Sequence, residues 1–80
     1  RDTVKEILKE YPDVVSLHDF RIAGKGKREE LLFHVVIKPD TTKEKVKELN
    51  RNINRKVREI YPEYKCIITF DRHDVLANEG

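Results

Sequence analysis

Eighty residues, 38% hydrophobic and 40% charged, make one domain; at this size only about 60–65% of the unfolded chain's surface can be buried, which excludes a large enclosed active site. Seventeen Lys and Arg against fifteen Asp and Glu leave a formal charge of +2, too balanced to demand a strongly polyanionic partner. One cysteine excludes a disulfide framework and any CxxC metal or redox pair, and apolar runs of at most three residues give neither a membrane span nor a signal peptide, so a soluble chain is expected.

The opening "DTVKEILKEYP" reads as a short helix. Asp2 or Thr3 caps it, Val4, Ile7, Leu8 and Tyr11 share one face, and Pro12 ends it. A chain that begins on this helix with no lead-in reads as a piece of a longer protein. "VVSLHDFRIA" is rich in β-formers, the turn residues Gly24 to Lys27 follow, and "ELLFHVVIK" is a second strand. "PDTTKEKVKELNRNINRKVREIYP" is a long helix: Thr41 and Glu44 have capping-box spacing, Val46, Leu49, Ile53, Val57 and Ile60 repeat every three to four residues, and Pro62 closes it. "YKCIITFD" is the third strand, with Cys66 as a small buried hydrophobe. The order is αββαβ over residues 1–74, and residues 75–80 read as a fraying tail.

The hairpin is the informative part. In the first strand Val15 and Leu17 are odd while Phe20 and Ile22 are even, which a regular strand with one buried face cannot accommodate. A type II′ turn at Gly26-Lys27 sets Ile22 against Leu31 and Phe20 against Phe33. One extra residue at His18-Asp19, a β-bulge, then lets Leu17 meet Val35 and Val15 meet Ile37. This register puts His18 and Asp19 opposite His34 on the other face. Cross-strand neighbours there have Cβ atoms about 4.5–5.5 Å apart, within reach of one shared metal ion.

In the third strand Cys66, Ile68 and Phe70 take the core side, so Ile67, Thr69 and Asp71 share the face of the histidines. A right-handed crossover through the long helix makes the second and third strands parallel neighbours. The expected fold is α+β, a three-stranded mixed sheet with both helices on one face. Its other face carries Leu32, Val36 and Ile67 around the polar cluster, an open apolar surface of the kind that marks a partner interface, here a homodimer.

"HDFR", "FHVVIKPD", the capped helix and "YPEYKCIITFD" resemble the cytoplasmic C-terminal domain of cation diffusion facilitator transporters, over nearly the whole chain. The resemblance implies a metallochaperone-like fold, ferredoxin-like with the first strand missing, that dimerises beneath a transmembrane domain absent from this chain. That transmembrane domain exports zinc or related divalent ions in exchange for protons. The place implied is the cytoplasmic side of a cell (inner) membrane, and metal at the dimer's sheet faces regulates transport. By position, His18, His34 and Asp71 match the family's cytoplasmic metal ligands. The metal implied is zinc, or iron, manganese, cobalt or cadmium, which this donor set does not separate. Thr69 stands where several members carry a histidine, and Lys47 and Glu48 stand where some carry one early in the long helix. His73, Asp19 and Glu48 are further candidates for ligands or for groups that position a ligand.

The alternative is a small RNA-binding or ligand-binding ferredoxin-like module. Phe20, Phe33 and Phe70 have core parity, which counts against base stacking, and no nucleic-acid partner is expected. Ser16 is the only hydroxyl near a histidine and has no visible oxyanion loop, so a non-catalytic regulatory module is expected. Arg51, Arg55, Lys56 and Arg58 read as a solvated helix stripe, as do Lys25, Lys27 and Arg28 at the hairpin tip.

Overall fold

The computed structural model describes residues 2–24 and 29–74. The elements run in the expected order: α1 (Asp2–Leu8), β1 (Val14–Ala23), β2 (Glu29–Ile37), α2 (Lys43–Ile60) and β3 (Tyr64–Arg72). The turn expected at Gly26-Lys27, the basic hairpin tip and the tail 75–80 lie outside the described residues. The strands lie in the order β1-β2-β3, with β1 antiparallel and β3 parallel to β2. This is the ferredoxin-like arrangement without its first strand, the fold expected from the αββαβ order.

The central strand β2 divides the molecule. Leu31, Phe33, Val35 and Ile37 are buried, while Leu32, His34 and Val36 between them are only partly so. The buried set packs with Val4, Ile7 and Leu8 of α1 and with Leu49, Ile53 and Val57 of α2 in one core. Both helices therefore cover the same face, and the face of His34 is left open. Cys66, Ile68 and Phe70 pack against the core from β3, as their parity requires. Burial pushes the Cys66 thiol up to about 11, in keeping with a structural rather than a ligating cysteine.

Strand β1 departs from the expected register in two places. Ile22 pairs with Leu31, Leu17 with Val35 and His18 with His34, as expected. The extra residue lies one step further on, with Asp19 and Phe20 both set against Phe33, between the pairs His18–His34 and Arg21–Leu32. Asp19 takes a left-handed φ of 54°, a conformation that Asp tolerates better than most residues because its short side chain can bond locally. A second irregularity falls at Val15: Val14 pairs with Ile37, and Val15, expected to face the core, is 47% exposed. With an extra residue after Val14 and another after His18, the inward positions become Val14, Leu17 and Phe20, three apart instead of two. Ile22 keeps its expected partner but is 57% exposed on this edge strand, and Ile60 in the last turn of α2 is exposed as well.

The start of α2 also differs from the expected capping box. Thr42 is the N-cap, in extended conformation, and its Oγ1 accepts from the Lys45 N–H at 3.1 Å. Thr41 is buried instead and its hydroxyl donates to the Lys38 carbonyl at 2.7 Å, closing the turn between β2 and α2.

Candidate metal centre

Three strands each deliver one side chain to the open face. The antiparallel pairing sets His18 of β1 directly across from His34 of β2, with ring centroids 5.3 Å apart. In the parallel pairing His34 is level with Thr69, so Asp71, two residues on, points to the same face one pleat further along. The Asp71 carboxylate reaches back between the rings: Oδ2 lies 2.8 Å from His34 Nδ1 and 3.8 Å from His18 Nε2. One ligand atom from each of the three residues lies within 4.8 Å of the other two. Donor atoms around a tetrahedral ion with bonds of about 2.0–2.1 Å stand about 3.3 Å apart. The distances of 2.8 and 3.8 Å straddle that spacing and all three ligand atoms lie within 4.8 Å of one another, so rotamer adjustments of about an ångström bring the set to the spacing of a divalent transition metal.

The surroundings hold these side chains in place. The Asp19 carboxylate lies 3.3 Å from His18 Nδ1, which leaves Nε2 directed at Asp71. Arg72, next to Asp71 and on the opposite face by alternation, donates from Nη1 to the carbonyls of Thr41 at 2.6 Å and Pro39 at 3.2 Å. That contact fastens the end of β3 to the β2–α2 connection. The His73 N–H donates to the Ile37 carbonyl at 2.8 Å and extends the ladder past Asp71.

His73 itself is not a member of the three-residue group. Glu48 lies on α2, across the sheet from the cluster, and its carboxylate is 3.6 Å from Lys45 Nζ. The Asp19 carboxylate lies beside His18 and outside the three-residue group. Leu32, Val36 and Ile67 share the open face around the cluster, and Ile67 is 36% exposed. Arg21, not singled out from the sequence, belongs to this face too, because it pairs with Leu32. Its parity after the bulge was the available signal.

These features define an α+β, ferredoxin-like domain with a histidine and carboxylate cluster on an uncovered sheet face. The family model described as the cytoplasmic domain of cation efflux proteins matches residues 1–73. The chain belongs to that family and is a cytoplasmic domain of the metal-cation transporters it contains. Among solved structures, the zinc form of the CzrB zinc transporter superposes with a TM-score of 0.81 at 23% identity, over 91% of this chain and 80% of that one. The metal-bound C-terminal domain of the CzcD transporter from Thermotoga maritima gives 0.78 at 17% identity, over 92% and 88%. The C-terminal domain of the magnetosome protein MamB from Desulfamplus magnetovallimortis gives 0.71 at 17% identity, over 90% and 88%. At these identities the likeness is one of fold. No curated protein sequence matches the chain. Among the described residues no helix is long and apolar enough to cross a membrane.

Proposed function

We propose that this domain is the non-catalytic regulatory and dimerisation module of a divalent-cation exporter, and that it binds zinc or a similar transition metal through His18, His34 and Asp71. The observation that carries the reading is the meeting of three ligand atoms from three strands within 4.8 Å on the one sheet face the helices leave open. Two imidazoles and a carboxylate are a donor set for borderline divalent ions, and a fourth position left to water or to a group from a partner chain suits an ion that exchanges. A bound ion adds positive charge to a cluster that otherwise relies on its own hydrogen bonds. Leu32, Val36 and Ile67 form the apolar rim through which two copies pair. Metal occupancy at the rim's centre thus biases how the two copies, and the transmembrane domains to which they connect, sit against each other.

The test is a calorimetric zinc titration of the metal-stripped chain at neutral pH, repeated with the His18→Ala/His34→Ala variant. Saturable binding in the micromolar range or tighter, lost in the variant, is the expected result. Absence of binding, or binding that survives both substitutions, would overturn the assignment.

A further inference from the structure

The basic residues of α2 separate into two groups. Lys56 turns toward the segment that follows α1, with Nζ 2.6 Å from Glu10 Oε1 and 5.3 Å from the centroid of the Tyr11 ring. Arg51, Arg55 and Arg58 stand at i, i+4 and i+7, within an arc of about 60° and along about 10 Å of helix. With Asn54, Glu59 and Pro62 they line an open groove of 500 Å³. All three arginines are exposed, and among the described residues none forms an ion pair. Asn54 donates to the carbonyl and the side chain of Asn50, so the guanidinium groups are the groove's free donors.

Structural roles account for only part of this. Arg58 lies in the last turn, where a cation complements the helix dipole, but the dipole's influence fades within one turn and does not reach Arg51. Arg51 and Arg55 are like charges at i, i+4, a spacing that disfavours the helix. Three guanidinium groups against the single carboxylate of Glu59 leave an excess of two positive charges facing one groove.

The geometry points to a binding site for a soluble, linear polyphosphate anion along the Arg51–Arg55–Arg58 face of α2. Guanidinium forks pair with phosphate oxygens two at a time, and three forks in a row match successive linked phosphates better than one compact anion. The open groove follows the helix for about 10 Å, and this narrow line of forks is the footprint of a short chain of linked phosphates. Because α2 packs on the covered face of the sheet, this site is separate from the cluster of His18, His34 and Asp71.

The experiment is a calorimetric titration with inorganic triphosphate at low ionic strength, on the metal-stripped chain because triphosphate chelates divalent ions. Three variants accompany it: Arg51→Ala/Arg55→Ala/Arg58→Ala, the charge-matched control Lys5→Ala/Lys9→Ala/Lys38→Ala, and Glu59→Gln. Alanine favours helix, so the arginine variant keeps α2, which circular dichroism verifies. Saturable binding is expected, weakened at least about tenfold in the arginine variant, unchanged in the control and tighter in Glu59→Gln. Equal weakening in both triple variants would reduce the effect to diffuse charge and overturn the site. So would the absence of saturable triphosphate binding, or binding only to vesicles of anionic phospholipid without competition by triphosphate.

Discussion

His34 Nδ1 and Asp71 Oδ2 lie 2.8 Å apart across two parallel strands, although their positions are offset by one pleat. The carboxylate leans back along the sheet, hydrogen-bonded to His34 and 3.8 Å from His18 Nε2, and in the proposed site it is the third donor. Asp71→Asn keeps the shape and removes the charge, and a neutral amide is a poor ligand for zinc. Zinc affinity is expected to fall at least about tenfold, with the thermal unfolding midpoint nearly unchanged because Asp71 lies outside the core. His73→Ala, outside the cluster, is expected to have a smaller effect in the same titration. The reverse ranking would move the site toward the chain's end.

Asp19 combines two roles that substitution can separate. Its backbone holds a left-handed φ of 54°, and its carboxylate lies 3.3 Å from His18 Nδ1. Asp19→Gly relieves the backbone and removes the carboxylate. Asp19→Ala removes the carboxylate but keeps the Cβ, so the left-handed cost of about 1 kcal/mol relative to glycine is no longer eased by local bonding of the side chain. Both variants are expected to weaken zinc binding about tenfold, since groups that orient a metal-binding imidazole are worth roughly that much. Only Asp19→Ala should lower stability in urea unfolding. Wild-type zinc affinity in Asp19→Gly would reduce the residue to a bulge former.

Thr69 is level with His34 and shares its face with Asp71. An imidazole there stands beside the three proposed donors. Thr69→His is therefore expected to tighten zinc binding about tenfold or more, read by competition with a chromogenic chelator. No gain would mean that the fourth position is already filled, by a group from a partner chain.

Much of this was legible before any coordinates, and the residues show why. Val46, Leu49, Ile53 and Val57 can be apolar at that spacing only on a helix, and Leu31, Phe33, Val35 and Ile37 can alternate only on a strand with one buried face. The meeting of His18 and His34 followed from matching those parities across the hairpin. Parity counts extra residues without locating them, however. Between Leu17 and Phe20 one residue must be surplus, and the backbone conformation of Asp19 decides which. Val14 and Val15 are both valines, so apolarity could not tell which faces Ile37. Thr41 and Thr42 offer the same hydroxyl, and the buried bond from Thr41 to the Lys38 carbonyl, a tertiary effect, selects Thr42 as the cap.

The apolar rim makes a prediction about assembly. Leu32 and Ile67 pair across β2 and β3 on the open face and take no part in the core. Leu32→Glu is expected to leave the unfolding transition intact while raising the dimer dissociation constant at least about tenfold in analytical ultracentrifugation, because it places an unpaired charge in an apolar contact. A dimer of undiminished affinity would place the contact elsewhere.

Cys66 gives a prediction from pH. Burial raises its thiol from an ordinary value of 9.0 to about 11, so between these values the folded protein keeps a proton that the unfolded chain has lost. This group's contribution to stability is therefore fully present below pH 9.0 and declines as the pH rises toward 11. At pH 8 the thiolate fraction is about a tenth in the unfolded chain and about a thousandth in the folded one, and the thiolate is the reactive form. Alkylation by iodoacetamide is thus expected to run about a hundredfold slower in the native protein than in urea, followed by mass spectrometry. Equal rates would expose the thiol to solvent and turn the core-facing side of β3 outward, which would also take Asp71 away from the histidines.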